Sequence, residues 1–172
     1  MRSVFERIRE DFETHERDAW RQGFWALVVY RFGVWRYGVR SRWVRKPLSF
    51  VYRISRLAVQ VLTGIDLPCE ARIGRRLRID HFGSLIVSGD TVIGDDCVLR
   101  HGVTLGLRHT GVRGAPRLGD RVDVGAGAKI LGPVRIGDDV AIGANAVVLC
   151  DVPDRSIAVG VPAAVKPRKE RS

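Results

Sequence analysis

Four histidines, His15, His81, His101 and His109, are the side chains of this sequence that ordinarily titrate near neutral pH. A neutral imidazole is the usual general base near pH 7. It needs a carboxylate or carbonyl on its other ring nitrogen to fix its tautomer and to stabilise the cation that forms. His81 has two carboxylates within reach along the chain: Asp80 adjoins it and Asp66 lies fifteen positions earlier. There is no serine nucleophile motif, no phosphate-cradling glycine loop and no cysteine paired with a suitable base. His81 is therefore the expected base, His101 a wall of the same cleft, and His109 a candidate to touch substrate.

The elements that must position these groups are written in a six-residue repeat. From residue 73 an aliphatic residue recurs every sixth position, commonly followed by Gly: Ile73-Gly74, Ile79-Asp80, then Val87, Ile93-Gly94, Leu99, Leu105-Gly106, then Leu118-Gly119, Val124-Gly125, Ile130, Ile136-Gly137, Ile142-Gly143 and Val148. Small or β-branched residues follow four positions behind, as at Val103, Val122, Ala128, Val134, Val140 and Ala146. A period of six is neither helical nor a plain strand alternation. It fits short strands joined by tight corners and stacked as a parallel β-helix, three hexads to a triangular coil, with the aliphatic residue inside and the following Gly, Asp or Asn at the turn. About four to five coils are expected between Ile65 and Pro153. Asp66 would then lie nearly one coil of eighteen before His81, beside it on the neighbouring coil.

Two interruptions break the phase. One adds two residues around Asp80-His81-Phe82-Gly83, and the other puts thirteen positions where six are expected between Leu105 and Leu118. The second is an excursion, LRHTGVRGAPR, rich in Gly and Arg. Insertions at solenoid corners are where binding residues go, and three of the four histidines lie at or next to these two places.

Charge and glycine divide the chain near Thr63-Gly64. The net charge is +10, of which +7 falls in residues 1–60; sixteen of the 19 glycines fall after them. Between Ala19 and Ile65 there are nine basic residues and no acidic one. Such a balance favours anionic partners: nucleic acid, an acidic membrane surface or a phosphorylated ligand. Residues 1–64 read as a helical part, with Phe24, Leu27, Val28 and Phe32 on one stripe and Phe50, Ile54, Leu57 and Val61 on another, and with Pro47 separating two helical stretches. The start lacks the apolar core of a signal peptide. The most apolar run, Gly23–Trp35, is thirteen residues long and interrupted by Arg31, too short for a membrane span. The interleaved Trp35, Arg36, Tyr37, Arg40, Arg42 and Trp43 fit a cap whose aromatics pack on the repeats while its arginines face water; a membrane-surface segment is the other reading. Three cysteines without CxxC spacing point to a reducing cytoplasm.

The stretch from Asp66 to Val165 resembles bacterial serine acetyltransferases of the left-handed β-helix (hexapeptide-repeat) acyltransferase superfamily. The matching text is IDLPCEARIG, RIDHFGSLIVSGDTVIGDDCVLRHGVTLG, VGAGAKILGPVRIGDDVAIGANAVVLCDVP and VGVPA. The family's catalytic segment usually reads DHATG; here it is DHFGS, with the Asp-His pair intact. The resemblance implies a mainly β protein: a left-handed β-helix over residues 65–165, a short helical part before it and a basic tail at 166–172. It implies His81 as base with Asp66 orienting it, Asp80 placing the acceptor, and a groove for acetyl-CoA along Gly106, Gly125, Ala126, Gly127, Gly143 and Ala144, with Lys166 and Arg168 near the phosphates. Acetyl would pass directly to an acceptor hydroxyl without an acyl-enzyme.

The sequence departs from that family at two places. Its Arg-His-Pro unit, which grips the serine carboxylate, is Gly114-Ala115-Pro116 here, leaving Arg108, His109 or Arg113 as stand-ins. The shortened, Arg- and Trp-rich start also resembles acetyltransferases of exopolysaccharide pathways, which act on sugar hydroxyls. The expected acceptor is therefore L-serine or a sugar, and the expected assembly is a homotrimer with active sites between subunits. No metal and no nucleic acid are expected, and residues 19–60 are a candidate for peripheral contact with the inner face of a membrane. Two other classes fit less of the sequence: a non-catalytic or membrane-associated scaffold, and a zinc enzyme like the β-helix carbonic anhydrases, for which His81, His101 and His109 supply the ligand count.

Overall fold

A computed structural model describes residues 3–109 and 114–168. Three helices precede a β-solenoid. They are α1 (Val4–Thr14), α2 (Gln22–Tyr37) and α3 (Arg42–Thr63). The first coil holds β1 (Ile65–Asp66), β2 (Arg72–Ile73) and β3 (Arg78–Asp80), and the second β4 (Leu85–Val87), β5 (Val92–Ile93) and β6 (Val98–Arg100). The third holds β7 (Thr104–Gly106), β8 (Arg117–Leu118) and β9 (Asp123–Val124), and the fourth β10 (Lys129–Leu131), β11 (Arg135–Ile136) and β12 (Ala141–Ile142). A partial coil follows, with β13 (Val147–Val148), β14 (Ser156–Val159) and β15 (Ala164–Pro167).

The strands stack into three faces of the prism: β1-β4-β7-β10-β13, then β2-β5-β8-β11, then β3-β6-β9-β12-β14-β15. All pairings are parallel except β14 with β15. The register carries the sequence period. Arg117 faces Arg135 and Asp123 faces Ala141, each eighteen positions on. Val92 faces Arg117, a step of 25 that absorbs the seven extra residues of the excursion. Ile65 faces Leu85, a step of twenty that absorbs the two extra residues around His81. The repeat's aliphatic residues form one buried column, with Leu85, Leu99, Leu105, Val124, Ile130 and Val148 fully enclosed.

The glycines after these aliphatics serve a different purpose from the one the repeat suggests. The left-handed backbone at the corners between the second and third faces falls on Arg76, Asp96, Arg121 and Asp139 instead. Gly74 is required by crowding: a Cβ there would stand 2.6 Å from the Gly94 carbonyl oxygen of the next coil.

The helical part also departs from expectation. Pro47 lies inside α3 and separates nothing; the break comes at Gly38–Ser41. The missing Pro47 N–H orphans only the carbonyl of Trp43, a solvent-exposed residue near the helix start. The expected arrangement of arginines outside and aromatics inside is reversed at its centre. Arg31 and Arg36 are buried, whereas Trp20, Trp35 and Trp43 are exposed. Arg31 satisfies its fork on Asp11 (2.9 Å) and on the carbonyls of Ile73 and Gly74 (3.1 and 2.7 Å), stapling α1 and α2 to the first coil. Arg36 stacks between the rings of Tyr37 and Tyr52, at 4.6 and 4.4 Å. The Tyr30 hydroxyl donates to the Ala71 carbonyl and accepts from the Ile73 N–H. Gly23 lets α2 touch the chain at Ile79, where a Cβ would meet the carbonyl oxygen at 2.5 Å. That contact brings the α1–α2 link against the end of β3.

Candidate active site

His81 begins the corner between the third face and the first. It stands just past β3 with its backbone in the left-handed region (φ 63°), and its side chain is exposed. One coil up, His101 occupies the same corner: its ring lies edge-on to His81 with centroids 5.8 Å apart. The pairing of Asp80 with Arg100 in the β3–β6 register sets this alignment.

The corner continues upward as a column of small residues. The Gly102 N–H donates to the Gly83 carbonyl, the Gly127 N–H to the His101 carbonyl and the Asn145 N–H to the Ala126 carbonyl, at 2.8–2.9 Å. Gly125, Ala126, Gly127, Gly143 and Ala144 thus lie along the edge that carries the two imidazoles. Gly125 is held small by the next coil, since a Cβ there would meet the Ala144 amide nitrogen at 2.5 Å. Lys129, in the quoted GAGAKI segment, places its ammonium against the Gly102 carbonyl. It is a cation on this column that the motif contained and sequence reasoning passed over.

At the foot of the column a cleft of about 460 Å³ is lined by Glu16, Arg21, Gln22, Arg78, Asp80, His81 and Phe82. Asp80 forms an ion pair with Arg78 at 2.9 Å and lies 3.9 Å from Arg21, which is itself anchored on Glu16 at 2.5 Å. Arg78 Nε is buried without a partner among the described residues. Glu16 and Arg21 carried no repeat phase and no motif, so only the packing of α2 on Ile79 reveals them. His15 fixes the link from beneath. Its Nδ1 lies 2.7 Å from the Asp11 carbonyl and its Nε2 accepts from the Ile79 N–H at 3.2 Å. The first bond requires the proton on Nδ1 and the second leaves Nε2 as acceptor, so the ring is neutral. Burial pushes its pKa below the ordinary histidine value, against the pull of the Asp11 carbonyl.

Other expected residues stand elsewhere. Asp66 lies in β1 opposite Ile86, and its Oδ1 takes Arg56 Nη2 at 2.7 Å and Nε at 3.3 Å; no hydrogen bond joins it to His81. Gly106 ends β7, and Arg108 and His109 follow that strand, whose three residues separate them by about 10 Å from the His101 corner. Arg113 lies outside the described residues. At Gly114-Ala115-Pro116, where the resembled family carries Arg-His-Pro, Ala115 and Pro116 are buried in the wall, with the Pro116 carbonyl accepting from Val92 N–H at 3.1 Å. Lys166 lies in β15 opposite Ile157, exposed. Arg168 bonds the Asp139 carbonyl at 3.1 Å, at the corner that precedes β12, whereas Ala144 follows that strand. β15 takes in Lys166 and Pro167, the first two residues of the expected tail.

A parallel three-faced solenoid of six-residue repeats with an exposed histidine pair at one corner defines the class: a left-handed β-helix of the hexapeptide-transferase kind. The model for bacterial transferase hexapeptide (six repeats) matches residues 115–150. Over 143 residues the chain is 46% identical to the serine acetyltransferase of Helicobacter pylori strain J99, covering 82% of this chain and 79% of that one. It is 39% identical to the putative colanic acid biosynthesis acetyltransferase WcaB of Escherichia coli K12 over 81% of this chain and 85% of that one. A solved serine acetyltransferase from Brucella abortus in complex with coenzyme A superposes with a TM-score of 0.82 at 27% identity, over 98% of this chain and 69% of that chain. The chain belongs to the serine acetyltransferase family of hexapeptide-repeat transferases. It spans 56% and 60% of the length of two longer serine acetyltransferases that it matches. Among the described residues no group of three or more His, Cys, Asp or Glu side chains is placed to hold a metal, and no helix is long and apolar enough to cross a membrane.

Proposed function

We propose that the chain is an acetyl-CoA-dependent O-acetyltransferase that passes acetyl directly to an acceptor hydroxyl. The observation that carries this reading is the exposed His81–His101 pair at the foot of a column of glycines and alanines. The column offers backbone and small side chains to the pantetheine arm of acetyl-CoA, and Lys129 offers it a cation.

His81 takes the proton from the acceptor hydroxyl as its oxygen attacks the thioester carbonyl. Backbone N–H groups of the corner hold the oxyanion. The carbon–sulfur bond breaks, and the protonated His81 returns its proton to the departing thiolate. Asp66 orients His81 through Oδ2, since Arg56 occupies Oδ1. Asp80 and His101 place the acceptor.

The acceptor is a sugar or glycan hydroxyl. Gly114 and Ala115, which stand where the resembled family carries its Arg-His, offer no charge to an amino-acid carboxylate. L-serine is the second reading, favoured by the 46% identity to a serine acetyltransferase and by Arg21 in the cleft. The working unit is a homotrimer with active sites between subunits: Arg108 and His109 follow β7 at a different corner of the chain from His81, and a neighbouring subunit would bring them to it. It works in the cytoplasm, with residues 19–60 against the inner face of the membrane. Free CoA release from acetyl-CoA, followed with L-serine and with a panel of monosaccharides and nucleotide sugars, tests the reading. Release with a sugar supports it, release with serine alone selects the second acceptor, and release with none overturns it.

A further inference from the structure

The helical part leaves one large surface without a partner. Trp43, Phe50, Ile54, Leu57 and Val61 follow one another at helical spacing along α3, and each is between 53% and 85% exposed. Val44, Val51 and Leu62 widen this face on one flank and are at least half exposed. The opposite face is the one that packs inward, through Tyr52, Val59 and Thr63. α3 is 22 residues long, and from Trp43 to Val61 it presents an apolar stripe about 27 Å long. Isolated apolar residues on a surface need no explanation, but a continuous stripe of this size marks an interaction site.

The flank opposite Val44 and Val51 identifies the partner. Arg42, Lys46 and Arg53 line it and are exposed, and the Lys46 ammonium lies 5.8 Å from the centre of the Trp43 ring. No acidic residue occurs between Ala19 and Ile65. A second copy of this face would bring cation against cation with no carboxylate to receive them, which disfavours association. A surface of anionic lipid headgroups over acyl chains matches both halves: the apolar stripe enters the acyl boundary while the guanidinium and ammonium groups meet phosphates.

We infer that α3 is a membrane-docking helix that lies in the plane of an anionic bilayer on its Trp43–Val61 face, with Arg42, Lys46 and Arg53 at the headgroups. This rests on the membrane contact proposed above for residues 19–60 and narrows it to one face of one helix. α1 and α2 then stand between the lipid and the solenoid.

The test is co-sedimentation of the full chain with vesicles of phosphatidylcholine alone or with about one-third phosphatidylglycerol, with light scattering for assembly size and circular dichroism for folding. The wild type is expected to pellet with the anionic vesicles, to release as salt is raised, and to bind neutral vesicles at least about tenfold less. Phe50→Ser/Ile54→Ser/Leu57→Ser should lower the bound-to-free ratio at least about tenfold with assembly size unchanged. Lys46→Glu/Arg53→Glu, which leaves the stripe intact, should abolish the preference for anionic vesicles; this second variant decides the matter if the first does not fold. Wild type that ignores vesicles overturns both the docking helix and the broader membrane contact. Wild type that binds while both variants bind equally well overturns only the assignment to α3. A serine variant that sheds subunits shows that a second copy covers the face, and overturns it too.

Discussion

The ion pair of Asp11 with Arg31 is the most demanding contact of the helical part, because both side chains are almost wholly enclosed, at 1% and 3% exposure. Replacing Asp11 by Ala leaves the guanidinium buried with only the carbonyls of Ile73 and Gly74 to receive it. Breaking a buried pair from one side costs about 3–5 kcal/mol. Because those two carbonyls remain, the lower end applies, about 3 kcal/mol. For a chain of this length each kcal/mol moves Tm by about 2–4 °C, so Asp11→Ala should melt about 6–12 °C below wild type. In Asp11→Leu/Arg31→Met no charge is left buried and only the two carbonyls lose a donor, so the double variant should lose only about 1–2 kcal/mol. Urea and thermal unfolding followed by circular dichroism measure all three proteins. The reasoning is refuted if Asp11→Ala lies within about 0.5 kcal/mol of wild type, or if the double variant is less stable than the single one.

Three further outcomes follow from the structure. His15 has a folded pKa below its unfolded value, so its contribution is complete above about pH 6.5 and is lost as pH falls below that value and the unfolded state binds the proton first. The urea midpoint of wild type should drop between about pH 6.5 and 5 more steeply than that of His15→Gln, and equal slopes would remove the imidazole from this role. Burial raises the Cys97 thiol to about 11 and Cys69 is also enclosed, so iodoacetamide at mildly alkaline pH should label only the exposed Cys150 in the native chain; modification of Cys97 before unfolding would contradict the packing. Asp66→Asn should lower kcat about 100-fold or more while leaving the KM for acetyl-CoA near wild type, and a kcat within about threefold of wild type would end its orienting role.

The solenoid was legible because its signal is redundant. Each coil needs the same aliphatic residue at the same corner-to-corner distance, so the phase through Ile93, Leu99 and Leu105, and again through Leu118, Val124 and Ile130, survives two insertions. Both insertions were sized correctly, and the steps of twenty and 25 residues in strand pairing hold them. The sequence placed His101 only as a wall of the cleft; coil-to-coil stacking converts its separation of twenty from His81 into adjacency. Most repeat glycines, as at Gly74, Gly94, Gly125 and Gly137, owe their place to crowding and not to the turn: crowding by the coil above and left-handed geometry both select glycine, and the sequence does not separate them.

The helical part was far less legible. A charge run is read by default as a solvated face, yet Arg31 and Arg36 are enclosed because Asp11, two carbonyls and two tyrosine rings receive them. Their partners lie up to 43 residues away, where no local pattern reaches. Pro47 was misread for a similar reason, since its penalty is small where the orphaned carbonyl sits near an exposed helix start. Glu16 and Arg21 joined the cleft through the contact of Gly23 with Ile79, a fact of tertiary packing alone.

Acetyl transfer by the His81→Ala variant tests the central claim most directly, with acetyl-CoA binding measured on the same sample by calorimetry. The account predicts that CoA release with the accepted hydroxyl substrate falls to the uncatalysed background while acetyl-CoA binds about as tightly as to wild type. Turnover retained in His81→Ala would contradict it.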